Sequence, residues 1–204
     1  MTQPTDARGT RAERQQQTRD RLVEVARQMF LRQGYAATSL DKLAVEAGFS
    51  KGAVYSNFAG KEELCMAVLD AIHAEKIARI SEMFSSDTAI EVRIKTFAEW
   101  SQTGISDPEW AALEVEFAAV ARQNAWVAAE LVRRHRKVRR MIADLISTTA
   151  DEADLETALP VDQIATALLA LGAGLGGMRA LDPRIDMDVF TAVLTTLVRP
   201  RRPQ

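Results

Sequence analysis

The 204-residue chain has little of what a covalent or catalytic framework needs. It contains one cysteine, Cys65, and two histidines. No disulfide can close within it, and no His/Cys/carboxylate group has metal-ligand spacing. The lone thiol is expected to be a small buried residue in a reducing, cytoplasmic setting. No nucleophile lies near an evident base, so neither an enzyme nor a cofactor is expected. Glycine and proline are scarce, at 10 and 6, and they gather at boundaries, which leaves long uninterrupted helices. Nothing alternates with period two over a strand's length, so no sheet is expected. The longest near-apolar run, Ile164 to Met178, contains Thr166 and four glycines. It is expected to be too short to cross a membrane. The opening "MTQPTDARGTRAERQQQTRD" has no apolar stretch, which argues against a secretory signal.

What is present is apolar and helical. Hydrophobic residues make up 47% of the chain, too many for a disordered protein. The net charge of −2 is unevenly spread: residues 1–60 carry +3 and residues 61–204 carry −5. A basic head on an acidic body suits contact with nucleic acid through the head alone. Hydrophobic spacing predicts an all-α fold of about nine helices. Residues 1–14 read as a flexible arm with basic residues Arg8, Arg11 and Arg14, and Thr18 as the first N-cap. Residues 15–61 read as a three-helix head with a helix-turn-helix at 39–58, and residues 62–204 as a helical body.

The stretch "AGFSKGAVYSNF", Ala47 to Phe58, carries the functional argument. A helix-turn-helix needs a small residue where its helices cross, a turn residue tolerant of positive φ, and an apolar anchor on the second helix. Ala44, Gly48 and Val54 meet these needs in order, with Phe58 one turn below Val54. Helical geometry then turns Gly52, Ala53, Tyr55 and Ser56 outward, flanked by Lys51 and Asn57. Ser39 and Ser50 open helices whose free N–H groups suit phosphate oxygens. Lys51 and Lys61 add positive charge, and Tyr55 offers a hydroxyl. The competing reading is a helical protein-interaction module whose helix-turn-helix is purely structural.

The segment "LVEVARQMFLRQGYAATSLDKLAVEAGFSKGAVYSNFAGKEEL" resembles the N-terminal domain of the tetracycline-repressor (TetR) family. The likeness rests on the apolar first helix ending in "GY", the "TS" before the second, "LA..AG.SKG..Y..F", and "KEEL" opening the fourth. It implies a homodimeric regulator, most simply a repressor, whose third helices read a palindromic operator in double-stranded DNA and which a small-molecule effector releases. The family's DNA-facing positions match Ser50, Lys51, Gly52, Tyr55, Ser56, Asn57 and Lys61, with Thr38 and Ser39 before the second helix. Asn57 stands where many members have histidine. Ala53, Ser56 and Asn57 are where operator choice is expected to differ from relatives.

Two other motifs need a reading. "GAGLGG" at 172–177 formally fits a dinucleotide-binding GxGxxG, but that fingerprint works only after a strand and at the opening of a helix. Here the preceding residues run helically. Close helix packing is the better account, since each glycine costs about 1 kcal/mol of helix propensity against alanine. The family resemblance suggests a dimer interface there, formed by Leu168, Gly172 and Gly176 with Phe190, Val193, Leu194 and Leu197 of the last helix. "RRHRKVRR" at 133–140 reads as a solvated charged face beside an apolar stripe, with the acidic "DEADLE" at 151–156 as a partner. His135 falls on the apolar side and is expected in the core, with ligand contact the alternative. The resemblance puts an effector cavity among helices four to seven. Phe97, Trp100, Trp110, Phe117, His135 and Met178 are the candidates to line it.

Overall fold

The structure is a computed structural model and describes residues 10–85, 87–105 and 107–201. Among these residues lie nine helices and two three-residue strands. In order they are α1 (Arg11–Ala37), α2 (Leu40–Ala47), α3 (Lys51–Tyr55), α4 (Lys61–Phe84), α5 (Ile90–Gly104), α6 (Pro108–Ala121), α7 (Ala125–Glu152), β1 (Leu155–Thr157), α8 (Val161–Leu181), α9 (Asp188–Leu197) and β2 (Val198–Pro200). The expected all-α architecture is what forms. The chain divides into two compact units between Leu69 and Asp70, within α4.

The first unit begins earlier than its hydrophobic pattern suggests. Thr10, not Thr18, caps α1. Its hydroxyl accepts from the Glu13 amide, and Glu13 accepts from the Thr10 amide at 2.6 Å, a reciprocal capping box. Thr18 sits inside the helix and donates to the Arg14 carbonyl. Arg11 and Arg14 are therefore helical, while Arg8 lies outside the described residues. Gly34, at φ +82°, interrupts the helical backbone of α1. Leu22, Val25, Ala26, Met29 and Phe30 of α1 pack with Leu43, Ala44, Val54, Phe58 and Leu64 into a core in which every one of these side chains is at most 4% exposed.

The second unit is built on α8, which packs against α6, α7 and α9. Its core joins Met83, Phe97, Ile146, Ile164, Leu168, Leu175, Met187 and Phe190. Phe97 is central, with ring centroids 5.7 Å from Phe84, 6.0 Å from Trp100 and 5.9 Å from Phe190. Arg93 ties the end of α4 to α5 by donating to the carbonyls of Phe84 and Thr88 at 2.7 and 2.8 Å.

Three expectations for this unit are corrected. Leu155–Thr157 pairs antiparallel with Val198–Pro200, a ladder too short to show as alternation in sequence. The apolar run around the glycines extends into a 21-residue helix, α8, which by length and composition could cross a membrane. Here it is a packed helix of the second unit. The acidic segment 151–156 pairs with Arg93, Arg199 and Arg201, not with the 133–140 run. Glu130 and Asp70 are nearer to that run. Arg134 turns inward, 11% exposed, and forks onto both Asp70 oxygens at 2.7 Å.

Candidate functional site

The first candidate surface lies on α2 and α3. Ser39 caps α2 by accepting from the Lys42 amide, and Ser50 caps α3 by accepting from the Ala53 amide. Gly48 closes α2 at φ +74°, ψ 25°, a left-handed position that only glycine takes without strain. Val54 and Phe58 are 0% and 1% exposed and hold α3 to the core. Their burial turns the opposite face outward. Tyr55 is 57% exposed, and Ser50, Lys51, Gly52 and Ser56 are exposed beside it. A side chain added at Gly52 would meet only the Ser50 hydroxyl, at 3.8 Å. The backbone of α3 is thus bare on its outer side.

Several candidates here have local partners. Lys51 pairs with Asp41, both well exposed. Thr38 is 2% exposed and donates to the Gly34 carbonyl at 2.8 Å, so it braces the start of α2 from inside. Lys61 lies 4.2 Å from the Tyr35 ring centroid and donates to the Ala36 carbonyl. Asn57, in the turn just beyond α3, is half-buried and donates to the Ala53 carbonyl of that helix at 2.8 Å. Arg19, unremarkable in the sequence, clasps this end of the motif. Its guanidinium sits 4.1 Å from the Phe58 ring centroid, donates to the Asn57 carbonyl and lies 3.6 Å from Glu63. Tyr35 stays a neutral phenol far above its usual range, because burial and then the neighbouring Glu62 carboxylate both oppose its ionisation.

The second candidate site is a cavity of about 580 Å³ within the second unit, walled mainly by apolar side chains of α4, α5, α7 and α8. Phe97, Trp100, Trp110 and His135 line it, as the sequence suggests. Phe117 and Met178 do not. Phe117 is fully enclosed by packing at 0% exposure, and Met178 points outward at 54%. His135 is an exposed residue at the cavity edge and not a core histidine.

The polar groups of the wall were mostly missed. Glu114 of α6 stands 3.5 Å from His73 Nε2, and burial raises its carboxyl to about 7 against the opposing pull of Lys76. His73 meets Trp110 edge-on at 5.0 Å, and Lys76 Nζ lies 4.9 Å from the centroid of the same indole. Arg136 and Arg139 of α7 complete the charged set, beside the hydroxyls of Thr149, Thr166 and Thr195. The stretch "AALEVEF" carries two carboxylates, Glu114 and Glu116, and nothing in it marks Glu114 as the one at the cavity.

The residues expected at a dimer interface divide into two groups. Leu168, Gly176 and Phe190 are buried in the unit's own core. A Cβ at Gly172 would meet Ile105 at 3.3 Å and Phe190 at 3.4 Å, so that glycine also serves internal packing. Val193, Leu194 and Leu197 are half-buried. The outward face of α8 instead carries Ala167, Gly174 and Met178, exposed and uncharged, while the exposed Thr166, Ala170 and Ala173 border the cavity.

Comparison with known proteins identifies the family. Residues 22–68 match the model of "Bacterial regulatory proteins, tetR family", and residues 94–200 match "BetI-type transcriptional repressor, C-terminal". The regulator TtgR of Pseudomonas putida is 40% identical over 72 residues, which are 34% of this chain and 34% of TtgR. The match thus spans about a third of that relative's length. The repressor AcnR of Corynebacterium glutamicum is 24% identical over 174 residues, 79% of this chain and 86% of AcnR. Among solved structures, reduced NemR of E. coli superposes with a TM-score of 0.72 at 20% identity, covering 91% of this chain and all of that one. The second of the two family models alone covers more than half of the chain, and the first matches its helix-turn-helix: the chain belongs to the TetR family of transcriptional regulators.

Proposed function

We propose that the chain is a homodimeric repressor that binds a palindromic operator and is released when a small molecule occupies the second-unit cavity. One observation carries the DNA half of this reading. A large aromatic side chain, Tyr55, stands in solvent on a short, capped helix whose outer backbone is bare at Gly52. A structural helix-turn-helix has no use for that arrangement, whereas a groove-reading one needs close backbone approach with hydroxyl and ammonium groups at the rim. Ser39, Ser50, Lys51, Gly52, Ala53, Tyr55 and Ser56 are the contacts to DNA. Thr38, Asn57 and Lys61 hold the reading surface in place, and Lys61 reaches phosphate from its edge. The Lys51–Asp41 pair is exposed and worth little by itself, so Lys51 is available to DNA.

The uncharged outward face of α8 supports a second copy as its occupant. Only 28% of the most apolar window of this helix is buried within the protomer. Small residues there let another helix approach closely. An effector shifts operator affinity only by binding the two dimer states unequally.

The test is selection of bound duplexes from a random DNA pool at near-physiological salt. A palindrome with half-sites about 34–36 Å apart is expected. Tyr55→Phe and Lys51→Ala should each weaken binding to it by about tenfold, ~1–2 kcal/mol, without altering the dimer. Failure to enrich any site, with Tyr55→Ala behaving like the parent, would instead support a protein-interaction module.

A further inference from the structure

The proposed function leaves open what the cavity holds, and its charges narrow the answer. Apart from its two histidines, the ionisable wall residues are Lys76, Glu114, Arg136 and Arg139, a net positive set. The one acid is already attended, with His73 at 3.5 Å and Lys76 acting on it from the same helix. The electron-rich face of Trp110 is likewise taken by the Lys76 ammonium. A lipophilic cation would therefore find the one carboxylate of this wall, and the Trp110 face beside it, already in use.

The arginines are the reverse case. Arg139 makes no ion pair among the described residues, and its buried Nε has no hydrogen-bond partner. A buried guanidinium N–H without an acceptor is costly and rare. Arg136, one turn earlier on α7, borders both the cavity and a shallow surface hollow that it shares with Arg133, Arg139 and Arg140. Two arginines on one helical edge thus sit where an apolar chamber meets a basic surface. Around them the wall is isoleucine, leucine, phenylalanine and tryptophan.

We infer that the cavity takes an amphipathic anion, with an apolar body in the chamber and a carboxylate or phosphate head on Arg136 and Arg139. This rests on the effector-site reading above and names its ligand class. Guanidinium groups match such oxyanions in geometry as well as charge, while the chamber's size, about 580 Å³, is within the range of small-molecule sites.

Four ten-carbon probes share a tail and differ in head: decanoate, decyl phosphate, decanol and decyltrimethylammonium. Each is titrated into the full-length protein at pH 8, below its micellar concentration, with calorimetry and tryptophan fluorescence as readouts. One or both anions should bind at least tenfold tighter than decanol, and which one does identifies the head. The cation should bind no tighter than the alcohol. In Arg136→Gln/Arg139→Gln the anion advantage should fall to within about twofold, with decanol affinity unchanged as the check on folding. A cation bound as tightly as the anions, an anion preference that survives the double substitution, or no saturable binding by any probe would overturn the inference. Operator affinity is measured on the same samples. Anion binding that leaves it unchanged would overturn effector release but not the ligand class. Operator release by probes bound without regard to head charge would overturn the ligand class alone.

Discussion

Single residues show how local chemistry sets the behaviour of each unit. Glu114 keeps its proton to about pH 7, chiefly because burial disfavours the carboxylate. In the unfolded chain it would ionise near 4.5. Between those values the folded state holds the proton and the unfolded state does not, so stability falls as pH rises through that window and then levels off. Glu114→Gln should remove this slope, leaving the variant more stable than the parent by about 1–3 kcal/mol at pH 8 and little changed at pH 5. Thermal melts across pH check the sign. A parent whose melting point rises from pH 5 to 8 in step with the variant would refute the assignment. Glu114 was invisible in the sequence as a cavity residue, because nothing local marks which acid on a helix faces inward. Tyr55 and Val54 were legible, because helical spacing that puts Val54 and Phe58 on one buried face turns Tyr55 toward the other.

At the scale of elements, α5 contains a close fit that its sequence does not announce. Trp100 folds back along its own helix over Gly104, where an added Cβ would fall 2.1 Å from Trp100 Cε2 and 2.3 Å from Cζ2. Trp100 is also part of the cavity wall. Gly104→Ala should therefore force the indole to a new rotamer, reshape the cavity and cost about 1–3 kcal/mol. Near-ultraviolet circular dichroism would register the displaced tryptophan, and an unchanged spectrum would show that the indole has room to give. The run 133–140 on α7 teaches a related lesson. It reads as one solvated stripe, yet it splits three ways. Arg134 turns inward onto Asp70 and Glu130, Arg133 pairs with Glu130 at the surface, and Arg136 and Arg139 border the cavity. Helical spacing supplies Glu130 as a local partner, but Asp70 and the cavity that the other residues meet come from distant segments.

For the whole molecule, the proposed dimer is the property on which function depends most steeply. Two half-sites are read together only if two heads are linked, and loss of that linkage removes avidity worth roughly 10²-fold or more. Ala167→Glu places a charge on the outward, uncharged face of α8, away from both the internal core and the cavity wall. It should yield a folded monomer by sedimentation velocity, with operator affinity reduced by at least about 10²-fold. A dimer of unaltered stability would move the interface elsewhere. The glycines at 172 and 176 also belong to this scale. They are close-packing residues as expected, but their neighbours are Ile105, Ala111 and Phe190 of the same chain.

Sequence alone determined the helical class, the approximate number of helices and the helix-turn-helix. These follow from spacing, capping side chains and a glycine at a left-handed turn, all interactions within a few residues along the chain. Tertiary structure decided which of the aromatic residues wall the cavity, which arginines are left without an acid, which face of α8 stays bare, and that two three-residue segments pair. Each of these depends on what a residue meets across a gap of tens of positions. Hydrophobic periodicity encodes that a face is buried, and only the packed fold supplies the partner.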